Sequence, residues 1–396
     1  MAKTHARRLP TSSPDMAGDA ENRAAERDAI FRQAERFLNG HTRRALRDEL
    51  LALAEAAGAE EEEDHYGEGK LIADFERDVA GILGKEAAVF MPSGTMAQQI
   101  ALRIWSDRGG RRLVGFHPTC HLEIHERKGY QLLHALSGVL IGDPGALMTM
   151  RDLVATPEPL AALLLELPQR EIGGQLPTWD ELVEQTAWAR SRGSAAHMDG
   201  ARLWEAAPAY GRDYAEVAAL FDSVYVSFYK GVGAIAGAAL AGDAEFVAEA
   251  RHWLRRHGGN LIHLYPYVIS ARTRLRERLP RFPDYHRRAL EIAAALRNAP
   301  GVTLKPDPPH AHMAHVYLEG ETEALVNASA RLAEAERVTM LTWARPSGVP
   351  GVSVFEMTIG DSAAEFTPDE IAGYLSRIVE DARSVAGDSR NGQRDG

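Results

Sequence analysis

The segment SVYVSFYKGVGAIAGAALAG, residues 223–242, contains one charged residue, Lys230, between two apolar runs. The first run, SVYVSF (223–228), and the second, AIAGAALAG (234–242), each predict a buried β-strand. A lysine between buried strands has little solvated surface around it. Burial lowers the pKa of such an amine and makes it nucleophilic. We therefore favour a chemical role for Lys230 over a plain surface position at a strand end.

The preceding predicted strand ends in an acid. In AAHMDGARLW (195–204), Asp199 closes a buried run and Arg202 follows three residues later. Ligands of open α/β sheets bind at the carboxyl ends of strands, so Asp199 is a candidate ligand contact. Arg202 could bind a carboxylate through two N–H groups. A helix cap at Asp199, or an ion pair between Asp199 and Arg202, is the alternative.

A third stretch, MPSGTMAQQIAL (91–102), predicts a strand, a tight turn and a helix. Gly94 permits the sharp turn, and the hydroxyls of Ser93 and Thr95 lie beside the free N–H groups of the helix start. These groups suit a phosphate. A simple helix cap is the alternative.

The remaining apolar runs extend the pattern of strands separated by helices. Further predicted strands are AAVFMP (87–92), RLVGF (112–116), GVLIGD (138–143) and ALLLEL (162–167). Predicted helices include GTMAQQIALRIWSDRG (94–109) and TWDELVEQTAWARSRG (178–193). This alternation predicts an α/β fold with a mostly parallel central sheet covered by helices.

The domain organisation follows from where this pattern changes. After a long helical run from Asp284, the predicted strands VTLKP, HMAHVYLEG and VSVFEMTIG flank one helix. We expect a large domain over 29–275 and a smaller C-terminal α/β domain over 276–386. The polar ends predict a disordered arm over 1–28 and a disordered tail over 387–396.

Two histidine-rich stretches raise the question of metal binding. In HPTCHLEIHERKG (117–129), His121 and His125 are four residues apart and could share a helix face. The H-E-x-x-H order of zinc sites is absent and no third ligand is evident, so we expect no metal. For HAHMAH (310–315), a face lining a cleft or a plain surface is favoured over a metal site.

Composition narrows the classes of partner. The chain has 396 residues and a net charge of −11, so neither nucleic acid nor an anionic membrane is indicated. Its single cysteine, Cys120, excludes an intramolecular disulfide and a cysteine-rich metal site. No apolar run is long enough to span a membrane, and no apolar stretch follows the basic residues of the N-terminus. We expect a cytoplasmic protein with a small-molecule substrate.

In combination these stretches indicate a cofactor. A phosphate turn, a histidine segment, a strand-end aspartate and a lysine after the next strand form the set that pyridoxal 5′-phosphate (PLP) needs. The lysine forms the Schiff base, the carboxylate keeps the pyridine nitrogen protonated, and the turn anchors the phosphate.

From about Asp64 to Gly259 the chain resembles the threonine aldolase and β-eliminating lyase group of fold-type-I PLP enzymes. The resemblance rests on DHYGEGK with the P-S-G-T turn, on HMDGARLWEA, and on YKGVGAIAGAALAG. It implies a large PLP-binding domain and a small C-terminal domain. It also implies homodimers or homotetramers with active sites at the subunit interface.

The resemblance further assigns roles by position. Lys230 would form the Schiff base, Asp199 would pair with the ring nitrogen, and His121 would stack on the ring. The other cofactor contacts would be Ser93, Gly94, Thr95, Arg202 and Ser227. Arg202 would also bind the substrate carboxylate, and Tyr66 lies in a segment that approaches the site. RRHGGN (255–260) resembles the loop that reaches the neighbouring subunit's cofactor.

The substrate half departs from the family pattern. RFLNGHTRRALRDEL (36–50) stands where the family has a serine that contacts the substrate. LELPQREIGGQLP puts Gln169 or Arg170 near the position of a family histidine linked to the substrate hydroxyl. VFEMTIGD (354–361) lacks the family's carboxylate-binding arginine, for which Arg345 is a possible substitute. Tyr229 replaces the serine that usually precedes the lysine.

The resemblance implies a retro-aldol enzyme that cleaves a β-hydroxy-α-amino acid, threonine-like or bulkier, to glycine and an aldehyde. The base at the substrate hydroxyl would be His125, or a water held by His121 or Glu126. Alternatives are a β-eliminating lyase on serine- or cysteine-type amino acids and, with less support, an aminotransferase. A non-catalytic PLP-binding homologue is the remaining alternative.

Overall fold

The computed structural model describes residues 14–42 and 44–391. Within these ranges the helices are α1 (Pro14–Arg32), α2 (Leu46–Ala56), α3 (Lys70–Leu83), α4 (Gly94–Gly109), α5 (His121–Ile124), α6 (Gly129–His134), α7 (Met150–Val154), α8 (Trp179–Ser191), α9 (Leu203–Tyr210), α10 (Tyr214–Ala219), α11 (Ala244–Arg256), α12 (Tyr265–Arg278), α13 (Phe282–Leu296), α14 (Thr322–Glu336) and α15 (Pro368–Asn391). The strands are β1 (Arg36–Phe37), β2 (Ala87–Met91), β3 (Leu113–Phe116), β4 (Ser137–Leu140), β5 (Ala162–Glu166), β6 (Ala195–Gly200), β7 (Ser223–Ser227), β8 (Ala238–Gly242), β9 (Val302–Lys305), β10 (Met313–Glu319), β11 (Val338–Thr339), β12 (Arg345–Pro346) and β13 (Val352–Thr358).

A seven-stranded sheet with the order β2-β8-β7-β6-β5-β3-β4 forms the centre of the larger part. The strands from β7 to β4 in this order are parallel neighbours, whereas β8 is antiparallel to both β7 and β2. Each strand overlaps an apolar run predicted as a strand. The mostly parallel sheet expected from the sequence is therefore confirmed.

Helices cover both faces of this sheet. On one face α4 and α11 pack against it and bury Ile100 and Phe246. On the other, α3, α8 and α9 contribute Phe75, Leu182 and Trp204 to the main core. Because both faces are covered, β7 and β8 are buried along their whole length. This burial explains why their sequences are uninterrupted apolar runs.

The strand after Lys230 begins later than the sequence predicts. β8 starts at Ala238 and not at position 234, because residues 228–237 form a closed loop. Phe228 donates its N–H to the Gly237 carbonyl at 3.0 Å, and Gly237 has a φ of +109°. An L-residue rarely adopts that conformation, so glycine is needed where the loop re-enters the sheet.

The C-terminal part contains a four-stranded antiparallel sheet with the order β12-β13-β10-β9. Helices α14 and α15 pack together beside it, as the predicted smaller α/β domain requires. α13 contacts α9 of the larger part as well as α15. α12 continues through the predicted boundary at 275/276, and the position of that boundary stays a prediction.

The N-terminal segment differs from the predicted disordered arm. Residues 1–13 lie outside the described residues, but α1 begins at Pro14. This helix contacts α14, and Arg27 donates to Asn327 at 2.8 Å. β1 then pairs in parallel with β11, and Phe31 and Leu38 are buried. An alanine- and glutamate-rich sequence favours helix, and these contacts attach it to the C-terminal part.

At the other end, α15 continues through the start of the predicted disordered tail to Asn391. The helix continues because residues 378–382 include Ile378, Val379 and Ala382, which are buried in the core, and no proline follows them. Residues 392–396 lie outside the described residues. None of the helices in the described ranges combines the length and apolarity needed to cross a membrane.

Candidate active site

Lys230 lies in the loop at the carboxyl end of β7. The loop is closed by the Ala234 N–H, which donates to the Phe228 carbonyl at 2.7 Å. Burial lowers the pKa of Lys230, and the neighbouring charge of Arg202 lowers it further, while Asp199 acts in the opposite direction. The lysine and the aspartate singled out in the sequence are therefore close enough to influence each other's charge.

Asp199 lies at the carboxyl end of β6, with only 2% of its surface exposed. Its Oδ1 accepts the Ala201 N–H at 3.1 Å. In the parallel register it pairs with Glu166 of β5, so two carboxyl groups meet at one buried edge of the sheet. Burial raises the pKa of Asp199, partly offset by Lys230. Burial and the charge of Asp199 raise the pKa of Glu166 to about 8. At neutral pH the pair therefore retains one proton between them.

The predicted phosphate turn forms the start of α4. Ser93 is the N-cap, and its Oγ accepts the Met96 N–H at 3.2 Å. Gly94 is pressed against Tyr225 of β7: a Cβ at this position would lie 1.9 Å from the tyrosine hydroxyl oxygen. Thr95 is exposed. The first turn of a helix is a position where backbone N–H groups can bind an anion, and phosphate binding here stays a prediction.

Tyr229 connects this turn to the lysine. The Tyr225 hydroxyl is hydrogen-bonded to that of Tyr229, and the Lys230 Nζ lies 5.9 Å from the centre of the Tyr229 ring. Ser227, a predicted cofactor contact, is buried and donates its hydroxyl to the Ala201 carbonyl at 2.7 Å. This hydrogen bond stabilises the loop after β6, and a contact of Ser227 with the cofactor stays a prediction.

The two histidines of the segment 117–129 each pair with a glutamate. His121 Nδ1 lies 2.9 Å from Glu126 Oε1, and His125 Nε2 lies 2.9 Å from Glu171 Oε1. The two rings are 4.9 Å apart and tilted by 45°. Among the described residues, no group of three histidine, cysteine or acidic side chains is placed to share a metal ion. The geometry suits two oriented bases.

Gln169, predicted as a substrate contact, is only 4% exposed. Its Nε2 donates to Thr119 Oγ1 at 3.2 Å and to Glu166 Oε2 at 3.0 Å. These bonds direct the amide to Thr119 and Glu166, and the predicted contact of Gln169 with a substrate stays a prediction. Glu171, two residues later, is the side chain that reaches His125.

Charged residues from both parts of the chain form a network that includes Arg202. Arg202 Nη2 lies 3.6 Å from Glu356 Oε1, and Arg170 Nε lies 2.7 Å from Glu356 Oε2. Arg345 Nη2 lies 4.0 Å from Glu171 Oε2, and Arg170 Nη1 lies 2.8 Å from Glu171 Oε1. Arg345, predicted as a substitute carboxylate-binding residue, is thus brought near Arg202 through this network.

The model of the family described as β-eliminating lyase matches residues 51–319, well over half of the chain. The chain belongs to this β-eliminating lyase family.

Solved structures and a curated relative agree with this membership. A Listeria monocytogenes structure, provisionally assigned as an L-allo-threonine aldolase, is 40% identical, with a TM-score of 0.85 over 91% of this chain and 99% of that chain. An Exiguobacterium structure, provisionally assigned as an aromatic amino acid β-eliminating lyase/threonine aldolase, is 41% identical, with a TM-score of 0.84 over 89% of this chain and 99% of that chain. The low specificity L-threonine aldolase of Escherichia coli is 28% identical over 254 residues, which is 62% of this chain and 74% of the relative.

As a member of this family, the protein is a PLP-dependent lyase. The alternative of a non-catalytic PLP-binding homologue is therefore set aside. The residues present fit this cofactor. Lys230 would provide the amine, Asp199 a buried carboxylate for the ring nitrogen, and the turn at Gly94 N–H groups for the phosphate. His121 is held by Glu126 in the neighbourhood of this set, since its charge acts on the pKa of Asp199.

Tyr66 lies apart from the residues around Lys230. It borders a cavity of about 520 Å³ that is also lined by Arg255, Arg256 and Asn260 of the predicted interface loop. The Tyr66 side chain is 52% exposed, and its N–H donates to the Ile262 carbonyl at 2.9 Å. Tyr66 and the predicted interface loop (255–260) therefore border the same cavity.

Three acids of the site were missed from the sequence, namely Glu166, Glu171 and Glu356. Glu166 carried a signal, because it ends the strand beside that of Asp199. Glu356 carried one too, as a lone charge in the apolar strand VSVFEMT. Glu171 carried none, because its partner His125 is 46 residues away in the chain.

Proposed function

We propose that this PLP-dependent lyase is an aldolase that cleaves the Cα–Cβ bond of a β-hydroxy-α-amino acid, giving glycine and an aldehyde. The observation that carries the proposal is the His125–Glu171 pair beside His121. It supplies an oriented base in a site that lacks the family's usual histidine. The similarity to proteins named as threonine aldolases supports the same reaction class.

The cofactor half supplies electron withdrawal at Cα. PLP, when bound, is an electron sink for the charge left at that carbon. Lys230 carries the amine that would bond the cofactor, and burial and the charge of Arg202 lower its pKa, which makes the nucleophilic form easier to reach. Asp199 would hold a proton at the ring nitrogen, and His121 would stack on the ring.

The base is oriented by the charge state of Glu171. Burial opposes ionisation, but the hydrogen bond with His125 and the charge of Arg170 outweigh it and lower the pKa of Glu171. An ionised carboxylate only accepts hydrogen bonds, so His125 donates through Nε2. The neutral ring then has its lone pair on Nδ1, which takes the proton of the substrate β-hydroxyl.

The substrate carboxylate is assigned to Arg202 and Arg345. Together with Arg170, these arginines carry three positive charges, and Glu171 and Glu356 carry two negative charges. One positive charge is therefore left unbalanced within this network, and it matches a single α-carboxylate. A second carboxylate on the substrate would lack a partner and would be costly to desolvate.

The direct test is incubation of the PLP-loaded protein with L-threonine, L-allo-threonine and phenylserine, with detection of glycine and the matching aldehyde. Parallel incubation with L-serine and L-cysteine tests β-elimination, for which pyruvate and ammonia are the products. Aldehyde and glycine support the proposal. Pyruvate alone, or no product from any β-hydroxy amino acid while PLP is bound, contradicts it.

A matched pair of variants tests the base. Glu171→Gln removes the charge that orients His125, and we expect kcat to fall roughly 10²- to 10⁴-fold, the usual contribution of general base catalysis. Glu184→Gln makes the same change of charge on the exposed face of α8 and should leave kcat unchanged. Equal kcat values for the two variants would exclude Glu171 from the mechanism.

We also propose that two subunits share each site. The exposed Tyr66 and the cavity with Arg255, Arg256 and Asn260 support this arrangement, because they lie apart from the Lys230 cluster of the same chain. Light scattering should give a dimer or a tetramer. Mixing inactive Lys230→Ala and Arg256→Ala proteins should restore part of the activity, and a monomer in light scattering would contradict the proposal.

A further inference from the structure

Glu205 of α9 is buried directly behind the Lys230 loop, with 1% of its surface exposed. Its carboxylate lies against the backbone of Gly231, where a Cβ would be 1.9 Å from Oε1. Neither carboxylate oxygen makes a well-aligned hydrogen bond with any described residue. A buried carboxylate without such bonds is costly to keep charged, so its position calls for a function.

His312, just before β10, is the polar side chain that faces this carboxylate from the C-terminal part. It is 1% exposed, and its Nε2 lies 3.9 Å from Glu205 Oε1. Neither ring nitrogen has a hydrogen-bond partner among the described residues. The two buried side chains thus face each other, and a shift of about 1 Å would bring them to hydrogen-bond distance.

The peptide after Lys230 is held from the opposite side as well. His41 Nε2 donates to the Gly231 carbonyl at 2.6 Å, and His41 Nδ1 lies 3.0 Å from Asp361 Oδ2. Gly231 is therefore enclosed between Glu205 and His41. A side chain at this position would displace the carboxylate, which explains the glycine directly after the lysine.

We propose that Glu205 and His312 form a buried acid–base pair that sets the charge of Lys230 and fixes the position of its loop. Both are positioning residues, since neither is assigned a contact with substrate or cofactor. The proposal rests on the assignment of Lys230 as the cofactor-bonding amine. It does not depend on which bond of the substrate is cleaved.

The electrostatics of the pair agree with this role. Burial raises the pKa of Glu205 to about 7, partly offset by Arg202 and Lys230 and by nearby backbone N–H groups. Burial lowers the pKa of His312 to about 3, so the ring is neutral at physiological pH. Glu205 therefore gains or loses its charge near neutrality, and its ionised form raises the pKa of Lys230.

The surroundings contain the other charges that bear on this titration. The groups that act on Glu205 or His312, or that Glu205 acts on, are Arg202, Lys230, Tyr214, His41 and His286. Arg202 and Lys230 favour the ionised carboxylate, whereas burial opposes it. Below about pH 7 the carboxyl is neutral and ceases to stabilise the Lys230 ammonium. Above that pH the ionised carboxylate stabilises the ammonium and raises the pKa of Lys230, so the amine stays protonated to a higher pH.

The first test measures Lys230 itself in the cofactor-free protein. The rate at which an amine reagent labels Lys230 is followed by peptide mass spectrometry across pH. Glu205→Gln should label several-fold faster than wild type above about pH 7, and equally fast below it. Glu184→Gln, an exposed glutamate with the same change of charge, should follow the wild-type profile.

The second test observes the pair. Infrared difference spectra across pH should show the carbonyl band of a protonated carboxylic acid that is absent in Glu205→Gln. In His312→Leu the midpoint of this band should move to higher pH, because the ionised carboxylate loses its partner. His312→Gln keeps a polar partner for the carboxylate, so its midpoint should lie close to that of the wild-type protein. Thermal melting confirms that each variant is folded.

The outcomes separate this inference from the proposed reaction. Superimposable labelling profiles for wild type and Glu205→Gln would overturn the control of Lys230. An unmoved infrared midpoint in His312→Leu would overturn the pairing. Neither readout uses a substrate, so failure of the aldolase assay alone would leave both results standing.

Discussion

Substitution of Gly94 by alanine tests the contact between the start of α4 and Tyr225. The added methyl would lie 1.9 Å from the tyrosine hydroxyl oxygen and 2.5 Å from Cζ. Ordinary van der Waals contact begins at 3.4 Å, so the two groups must separate by about 1.5 Å. Tyr225 is 3% exposed in the centre of the sheet and has little room to retreat. The helix start, which carries the phosphate-binding N–H groups, must move instead.

The magnitude follows from the cost of overpacking. Inserting a methyl into a well-packed core costs about 1–3 kcal/mol. If that cost falls on the conformation that binds the phosphate, PLP affinity falls roughly 5- to 150-fold, since 1.4 kcal/mol corresponds to a factor of ten. Any part of the cost that the cofactor-free protein also bears lowers its free energy of unfolding instead, so the two losses together amount to about 1–3 kcal/mol.

The assay is titration of cofactor-free protein with PLP, followed by the absorbance of the bound cofactor, together with urea unfolding. Gly109→Ala at the far end of the same helix is the control, because no atom lies within 4 Å of its added methyl. We expect that variant to bind PLP normally and to be up to about 1 kcal/mol more stable. Unchanged PLP affinity and unchanged stability in Gly94→Ala would refute the assigned contact.

Three further predictions concern the lysine, an arginine and a buried histidine. Lys230→Ala should abolish the attachment of PLP that borohydride reduction fixes to one peptide in the wild-type protein. Arg345→Gln removes a charge-assisted contact worth about 1.5–3 kcal/mol, so KM for an active substrate should rise roughly 10- to 100-fold with a smaller change in kcat. Burial lowers the pKa of His197 to about 3, below its ordinary value of 6.5 in the unfolded chain. The unfolded chain therefore binds the extra proton between these values. The contribution of His197 to the free energy of unfolding is therefore fully present above pH 6.5. Below it, the free energy of unfolding falls by about 1.4 kcal/mol per pH unit. Urea unfolding of wild type and His197→Gln at pH 7 and at mildly acidic pH should show the smaller loss in the variant.

The fold and the cofactor half could be predicted from the sequence because their signals are local. The turn at Gly94 joins a strand and a helix that are adjacent in the chain. Asp199 and Lys230 each follow a buried strand, and parallel neighbours bring such ends together at one edge of the sheet. The same logic reaches Glu166, whose register with Asp199 follows from strand order once that order is known.

The substrate half could not be predicted because its contacts are between distant segments. His125 pairs with Glu171 across 46 residues, and Arg202 on the sheet pairs with Glu356 of the C-terminal part. Arginine and glutamate are common on surfaces, so the sequence contains many equally plausible pairs. Gln169 was predicted as a substrate contact from a resemblance, and its hydrogen bond to Glu166 was not predicted.

Glu356 offers a physical reason why this chain lacks the family's carboxylate-binding arginine near β13. Where the family has an arginine near this strand, β13 presents an acid that binds Arg170 and Arg202. An arginine at the same place would add a like charge to those two and would be repelled. Arg345 lies on the neighbouring strand β12, where it pairs in register with Val354, two residues before Glu356 on β13. Arg345 thus places a positive charge at the edge of the small sheet, and its contact with the substrate carboxylate stays a prediction, while Glu356 carries a negative charge between Arg170 and Arg202.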